Sequence, residues 1–266
     1  TTTTHASLLF FTTRGRVFKL KAYEIPAATR TAKGQALQNF LELAPGEKVS
    51  AVLSLKELGE FKYLVMVTSR GLIKKVDIEN FEEVRRSGLI AIKLKPEDTL
   101  QWVKPSTGKD EVMLISANGQ SIRFKEVDVR PMGRVAAGVR GMRLRGKDQV
   151  VGIDILEPKL VEKGLMELFV LMENGFGKRT DVKSYKIQRR GGSGVKTAKV
   201  TGKTGEMVGA FIANAKDERD LIVISQKGQV IRTPFRTVSV QGRATQGVRV
   251  MRFKEAGDCV ASVTFV

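Results

Sequence analysis

The sequence predicts an all-β fold of five tandem units of about four strands each, and three observations predict it. Five apolar runs of strand length each close on a polar turn ending in glycine, at Gly15, Gly71, Gly119, Gly175 and Gly228, and then return as a second strand. These glycines lie 56, 48, 56 and 53 residues apart. A second glycine follows each of them by 17 or 19 residues, at Gly34, Gly88, Gly138, Gly194 and Gly247. Helix-period patterns are nearly absent, with short turns at most over 56–61 and 78–86. A period near 50 residues with two to four strands per unit belongs to a propeller-like or solenoid array rather than to a sandwich.

Each unit runs through the same elements in order. The first strand is apolar, as in Leu8-Leu9-Phe10-Phe11, and is assigned to the core. The turn that follows is a hairpin turn, with Asn-Gly at Asn118-Gly119 and Asn174-Gly175. The return strand of each hairpin is basic, and in Val17-Phe18-Lys19-Leu20-Lys21 and Ile122-Arg123-Phe124-Lys125 apolar and basic residues alternate. Alternation of period two gives one buried face and one exposed cationic face. An exposed row is therefore expected at Arg16, Lys19, Lys21, Lys74, Lys75, Arg123, Lys125, Lys178, Arg179, Arg232 and Arg236. The same pattern also serves simply to keep a sheet soluble and its edges unpaired.

A basic loop precedes the second glycine of every unit. The loops carry Arg30 and Lys33, then Arg85 and Arg86, then Arg134, then Gln188-Arg189-Arg190-Gly191-Gly192-Ser193-Gly194, then Arg243. In the fourth, paired glycines let the backbone approach an anion while arginines fork onto its oxygens. Another strand follows the loop, as over 89–94 or 248–253, and Arg140 and Arg249 on such strands complete the candidate set. An apolar strand such as Val49–Leu53 or Val208–Ile212 closes the unit.

Charge points to the partner. The 266 residues hold 46 Lys plus Arg against 28 Asp plus Glu, a formal charge of +18 with a pI near 10.1, which suits a polyanion. One cysteine and one histidine exclude disulfides and Cys/His zinc clusters, and no metal ligand set or cofactor is expected. No apolar run reaches the roughly 18 residues that span a bilayer, and no basic amphipathic helix suggests a membrane surface. Single-stranded nucleic acid wants aromatic stacking platforms, and only 6% of this chain is aromatic. Double-stranded DNA held by its phosphates is the expected partner, with an acidic protein segment on a propeller-type scaffold as the alternative. Catalytic residues are not expected: Gly202-Lys203-Thr204 lacks the rest of a P-loop, Glu82-Glu83 beside Arg85-Arg86 reads as a local ion pair, and no small-molecule substrate is implied. The chain begins Thr1-Thr2-Thr3-Thr4 without methionine or signal peptide and is expected to be a cytoplasmic piece of something longer.

With these residues in view the chain resembles the C-terminal domain family of the DNA gyrase A subunit, whose near neighbour is that of the topoisomerase IV A subunit. The resemblance rests on the five units, Leu9 to Val17, Tyr23-Glu24-Ile25-Pro26, the loop from Gln188 to Gly194, and the closing Gly242-Arg243-Ala244-Thr245-Gln246-Gly247-Val248. It implies a β-pinwheel, a propeller-like disc of about five visible four-stranded blades whose strands exchange between neighbours, with room for a sixth in an intact parent. It further implies one noncatalytic DNA-wrapping domain over 1–266, with repeats at about 8–55, 63–107, 111–156, 167–214 and 220–266. Family members wrap duplex DNA around a basic rim in support of negative supercoiling, inside the nucleoid-associated bacterial enzyme. The cleavage and ATPase sites lie in the B subunit or the remainder of the A subunit. Gln188 to Gly194 is similar to the family's gyrase box, but stands in the fourth unit rather than the first and has Ser193 where a cation is expected.

Overall fold

The computed structural model describes residues 2–29 and 31–266. Among them are nineteen strands, seven 3-10 turns and one short α-helix, α1 (Pro158–Glu162). The first repeat holds β1 (Ser7–Thr12), β2 (Arg16–Lys21) and β3 (Val49–Ser54). The second holds β4 (Tyr63–Thr68), β5 (Leu72–Asp77), β6 (Leu89–Ile90) and β7 (Leu100–Ser106). The third holds β8 (Glu111–Ser116), β9 (Gln120–Lys125), β10 (Val139–Arg140) and β11 (Val150–Leu156). The fourth holds β12 (Met166–Met172), β13 (Phe176–Asp181), β14 (Val195–Lys196) and β15 (Met207–Asn214). The fifth holds β16 (Asp220–Ser225), β17 (Val230–Pro234), β18 (Val248–Arg249) and β19 (Val260–Phe265).

The five hairpins form as expected. β1 pairs antiparallel with β2, β4 with β5, β8 with β9, β12 with β13 and β16 with β17. At the turn of the fourth, Gly175 takes φ +76, and a Cβ there would lie 2.3 Å from the carbonyl oxygen of Met251, so only glycine fits.

The strands combine into four four-stranded sheets, ordered β3-β1-β2-β6, β10-β5-β4-β7, β11-β8-β9-β14 and β15-β12-β13-β18, and a fifth of three strands, β17-β16-β19. Each four-stranded sheet takes one edge strand from the next repeat along the chain. The fifth blade thus departs from the expected four strands, because its own short strand, β18, is given to the fourth sheet and no further repeat among the described residues replaces it. The donated strands are also shorter than the expected 89–94 and 248–253: each is two residues long.

Contacts group the chain into two compact units. One holds the residues up to Lys109 together with Val129–Val139, and the other holds Asp110–Asp128 and Arg140–Val266. In the first, Leu9, Phe11, Val17, Leu64, Met66 and Phe81 form the main core, with Phe11 and Phe81 edge to face at 5.6 Å. In the second, one core gathers Met113, Leu168, Val170 and Tyr185, and another Phe169, Leu221, Phe235 and Met251. First strands such as β8 are buried along their whole length, which accounts for their unbroken apolar character.

Candidate nucleic-acid interface

Each basic loop of repeats 3, 4 and 5 is built on the return strand of the preceding repeat. The N–H groups of Met132, Gln188 and Gln241 donate to the carbonyls of Lys75, Arg123 and Arg179 at 2.9, 2.7 and 2.8 Å. The loop then crosses that strand and leaves as the donated strand: Val195 and Lys196 lie opposite Ser121 and Gln120, and Val248 and Arg249 opposite Gly177 and Phe176. Closeness at this crossing explains the second glycine. Gly194 has φ +75, and a Cβ there would lie 2.2 Å from the carbonyl oxygen of Ser121. The paired glycines are engaged within the protein as well: Gly191 donates to Gly141 O at 2.6 Å, and Gly192 O accepts from the Arg143 N–H at 2.8 Å. Of the N–H groups that the sequence reading held ready for an anion in this loop, that of Gly191 is already used within the protein.

The cations divide into two groups. The expectation of an exposed row fails at Lys74, Lys75, Arg123, Lys178 and Arg179, all of which are buried. Alternation along a strand identifies two faces, but in β5, β9 and β13 the loop of the next repeat lies over the strand. Lys74 and Lys178 are thereby covered, while their strand neighbours Lys75 and Arg179 point to the opposite face and are buried there by other partners. Arg123 pairs with Glu111 at 2.6 Å and donates to the carbonyls of Val182 and Tyr185. Arg179 pairs with Glu167 at 2.8 Å and donates to the carbonyls of Val238 and Arg236. Lys75 lies over the Tyr63 ring at 4.7 Å. Lys74 and Lys178 point into the loops that follow, Lys74 Nζ donating to Ala91 O and Arg134 O, Lys178 Nζ to Gly242 O, Arg243 O and Thr245 Oγ1. Burial, followed by the like charge of Arg134 or Arg243, lowers both ammonium pKa values to about 8.

The second group faces outward. Lys33, Arg85, Arg86, Lys125, Arg140, Arg189 and Arg249 are exposed, while Arg134, Arg190 and Arg243 are half-buried. Arg30 lies outside the described residues. The two arginines of the fourth loop differ: Arg190 donates to the carbonyls of Asp128 and Arg140 at 2.8 and 3.1 Å, whereas Arg189 has no side-chain bond among the described residues. Gln188 and Ser193 are half-buried. Arg243 lies 5.8 Å above the Tyr185 ring, and Arg249 4.5 Å above that of Phe176.

A further set of cations emerges from the geometry. Lys93, Arg143, Lys199 and Arg252 each stand five residues after the crossover glycine, and all four are exposed. The first three donate their backbone N–H groups to the next repeat's loop, at Ala136 O (3.3 Å), Gly192 O (2.8 Å) and Thr245 O (3.0 Å). Each therefore stands beside a basic loop. Their common offset from Gly88, Gly138, Gly194 and Gly247 is the signal that would have found them in the sequence. Among the described residues no group of three or more His, Cys, Asp or Glu is placed to hold a metal, and no helix is long and apolar enough to cross a membrane.

The family described as DNA gyrase C-terminal domain, beta-propeller, matches residues 6–56, 62–107, 110–157, 167–214 and 219–264. The DNA gyrase A subunit of Staphylococcus epidermidis is 40% identical over 267 residues, covering all of this chain and 29% of that protein. The DNA gyrase A subunit of Mycolicibacterium smegmatis is 40% identical over 260 residues, covering 97% of this chain and 30% of that protein. The chain thus spans less than a third of the length of these relatives. Among solved structures, one described as the DNA gyrase A C-terminal domain is similar at TM-score 0.80 and 26% identity, covering 99% of this chain and 83% of that one. Another, the C-terminal domain of DNA topoisomerase IV, shares the fold at TM-score 0.88 and 24% identity, covering 99% of this chain and 80% of that one.

Proposed function

The chain belongs to the DNA gyrase C-terminal domain family, and we propose that it is the noncatalytic domain with which the A subunit of a gyrase binds and wraps duplex DNA to support negative supercoiling. In this reading its five repeats act together, in the bacterial cytoplasm at the nucleoid, and its protein partners are the B subunit and the rest of the A subunit. DNA cleavage and ATP hydrolysis are carried by those partners.

The observation that carries the reading is the recurrence of exposed cations at fixed places in successive repeats. Lys93 is bonded through its backbone to the loop of Arg134, Arg143 to the loop of Arg189, and Lys199 to the loop of Arg243. Each such pair suits backbone phosphates, with no base read. Arg85, Arg86, Lys125, Arg140 and Arg249 are further exposed cations of these repeats, and Lys33 is exposed in the loop of the first. The buried Lys74, Lys75, Arg123, Lys178 and Arg179 support these loops from beneath rather than touching DNA. Bending duplex by tens of degrees costs on the order of 1–6 kcal/mol, which several charge-assisted contacts offset.

Electrophoretic titration with duplexes of increasing length tests the proposal. Affinity should rise with length until the contacts are filled and fall steeply with salt, by roughly 0.9 logarithmic units per phosphate contact for each tenfold rise in salt. Affinity independent of both would sink it.

A further inference from the structure

We propose that the loops at 133–135 and 242–244 are backbone anion sites for phosphodiester oxygens, and that the buried Lys74 and Lys178 are the positioning residues that build them. This rests on the DNA-binding reading above and adds a second kind of contact to it.

The lysine beneath the fifth loop is the clearer case. Lys178 is fully buried, and its ammonium has three protons and three acceptors: Gly242 O, Arg243 O and Thr245 Oγ1. Among its bonded partners there is no carboxylate. In a trans peptide the N–H points away from the C=O of the same unit. Turning the carbonyls of Gly242 and Arg243 inward onto the ammonium therefore turns the N–H groups of Arg243 and Ala244 outward. Neither N–H has an acceptor among the described residues, and Ala244 is exposed. Two successive outward N–H groups beside the guanidinium of Arg243 make a concave donor set for an anion with several acceptor oxygens.

The third loop repeats the device. Lys74 Nζ donates to Arg134 O and, at 2.8 Å, to Ala91 O. The inward carbonyl of Arg134 turns the N–H of Val135 outward, where it too lacks an acceptor among the described residues, next to the Arg134 side chain. The fourth loop supplies a contrast within the same molecule. Ile122 occupies the position of the lysines there, packed beneath Gly192, and the Gly191 N–H is used on Gly141 O. That loop has no buried ammonium to orient it, and offers Arg189 instead.

The device depends on protonation. Above about pH 8 the amine keeps two protons for three acceptors, so the orientation of the Arg243 and Ala244 peptides is released. The charged group that acts on Lys178 is Arg243 on the loop; Arg249 on the donated strand lies over the Phe176 ring, and Arg179, next in its own strand, is paired with Glu167. Around Lys74 they are Arg134 on the loop and Lys75 on its own strand.

Amide hydrogen exchange of the 266-residue chain with and without duplex DNA, joined to duplex titrations between about pH 7 and pH 9.5, tests this. Duplex should protect residues 242–245, and affinity should drop roughly three- to tenfold as pH rises through about 8. In Lys178→Met that protection should vanish, affinity at neutral pH should be lower by roughly fivefold, and Lys74→Met/Lys178→Met should show no step near pH 8. Should Lys178→Met not fold, Ala244→Pro removes one N–H with the charge unchanged and should abolish the same protection. Duplex binding without protection at 242–245, a double variant that keeps the step, or protection by an acidic peptide but not by duplex overturns the inference and leaves phosphate binding by side chains standing. Failure of the intact chain to bind duplex at any pH overturns both.

Discussion

Glu47 is buried and accepts from Arg16 Nε at 3.0 Å and from a terminal nitrogen of the same guanidinium at 2.5 Å, from Thr12 Oγ1 at 2.5 Å and from the Ala44 N–H at 2.9 Å. Burial alone would raise its pKa, but the Arg16, Thr12 and Ala44 bonds outweigh burial and hold it at about 2. A carboxylate with a depressed folded pKa adds stability that is present above its unfolded value, near 4.5, and is lost as pH falls through the folded one. Glu47→Gln should therefore destabilise the chain by about 2 kcal/mol at neutral pH, the partial exposure of Arg16 limiting the loss. In urea unfolding the gap between variant and parent should close between about pH 4.5 and pH 2; a gap independent of pH would show that the charge of Glu47 contributes nothing. The same attention to individual partners separates Arg189 from Arg190, adjacent in sequence. The guanidinium of Arg190 is committed to two carbonyls, so only Arg189 offers an uncommitted one.

At the scale of elements, what a glycine must accommodate is set by whether other backbone crosses it: the hairpin glycines Gly15, Gly119 and Gly175 meet a carbonyl oxygen as Gly194 does, and Gly228 does not. Gly194 stands where the loop crosses the return strand of the preceding repeat, with φ +75 and backbone in the way of any Cβ, while Gly228 has φ +83 and open space around it. Gly194→Ala should cost at least about 3 kcal/mol, combining left-handed strain with a backbone clash, whereas Gly228→Ala should cost only the strain, about 1–2 kcal/mol. Equal urea midpoints for the two variants would mean that the crossing relaxes freely around an added methyl. The hairpins were legible in the sequence because each is local: an apolar run, a polar turn with glycine, and a return strand within 20 residues. The donated strands were legible in place but not in length or partner, because a two-residue element such as Leu89–Ile90 has no periodicity and its partner, β2, belongs to the previous repeat; their exchange was implied by the resemblance alone. The misplacement of Lys74 and Lys178 has the same origin. Cations in β5 and β13 lead to the expectation of exposure, but nothing local reveals that a loop from 60 or more residues onward covers Lys74 and Lys178. Cations at a fixed offset from the crossover glycine were readable in principle, since Lys93, Arg143, Lys199 and Arg252 share one register.

For the whole molecule, the question is whether the charge of +18 acts as a total or through its placement. A sum of charge gives every exposed cation nearly equal weight in attracting a polyanion, whereas counterion release credits only those that come to rest against a phosphate. Two sets of four cations distinguish these. Lys93, Arg143, Lys199 and Arg252 stand five residues after the crossover glycines, the first three beside a basic loop, while Lys56, Lys159, Lys163 and Lys216 are exposed on the connectors between repeats. Replacing either set by glutamine lowers the net charge equally and removes no ion pair among the described residues. Removing the crossover set should lower the slope of log affinity against log salt by roughly 3–4, while the connector set should change it by less than about 1. Fluorescence titration of a labelled duplex across a salt series reads both slopes directly. Equal losses would mean that the chain attracts DNA through its total charge and that the repeating register of its cations has no part in holding it.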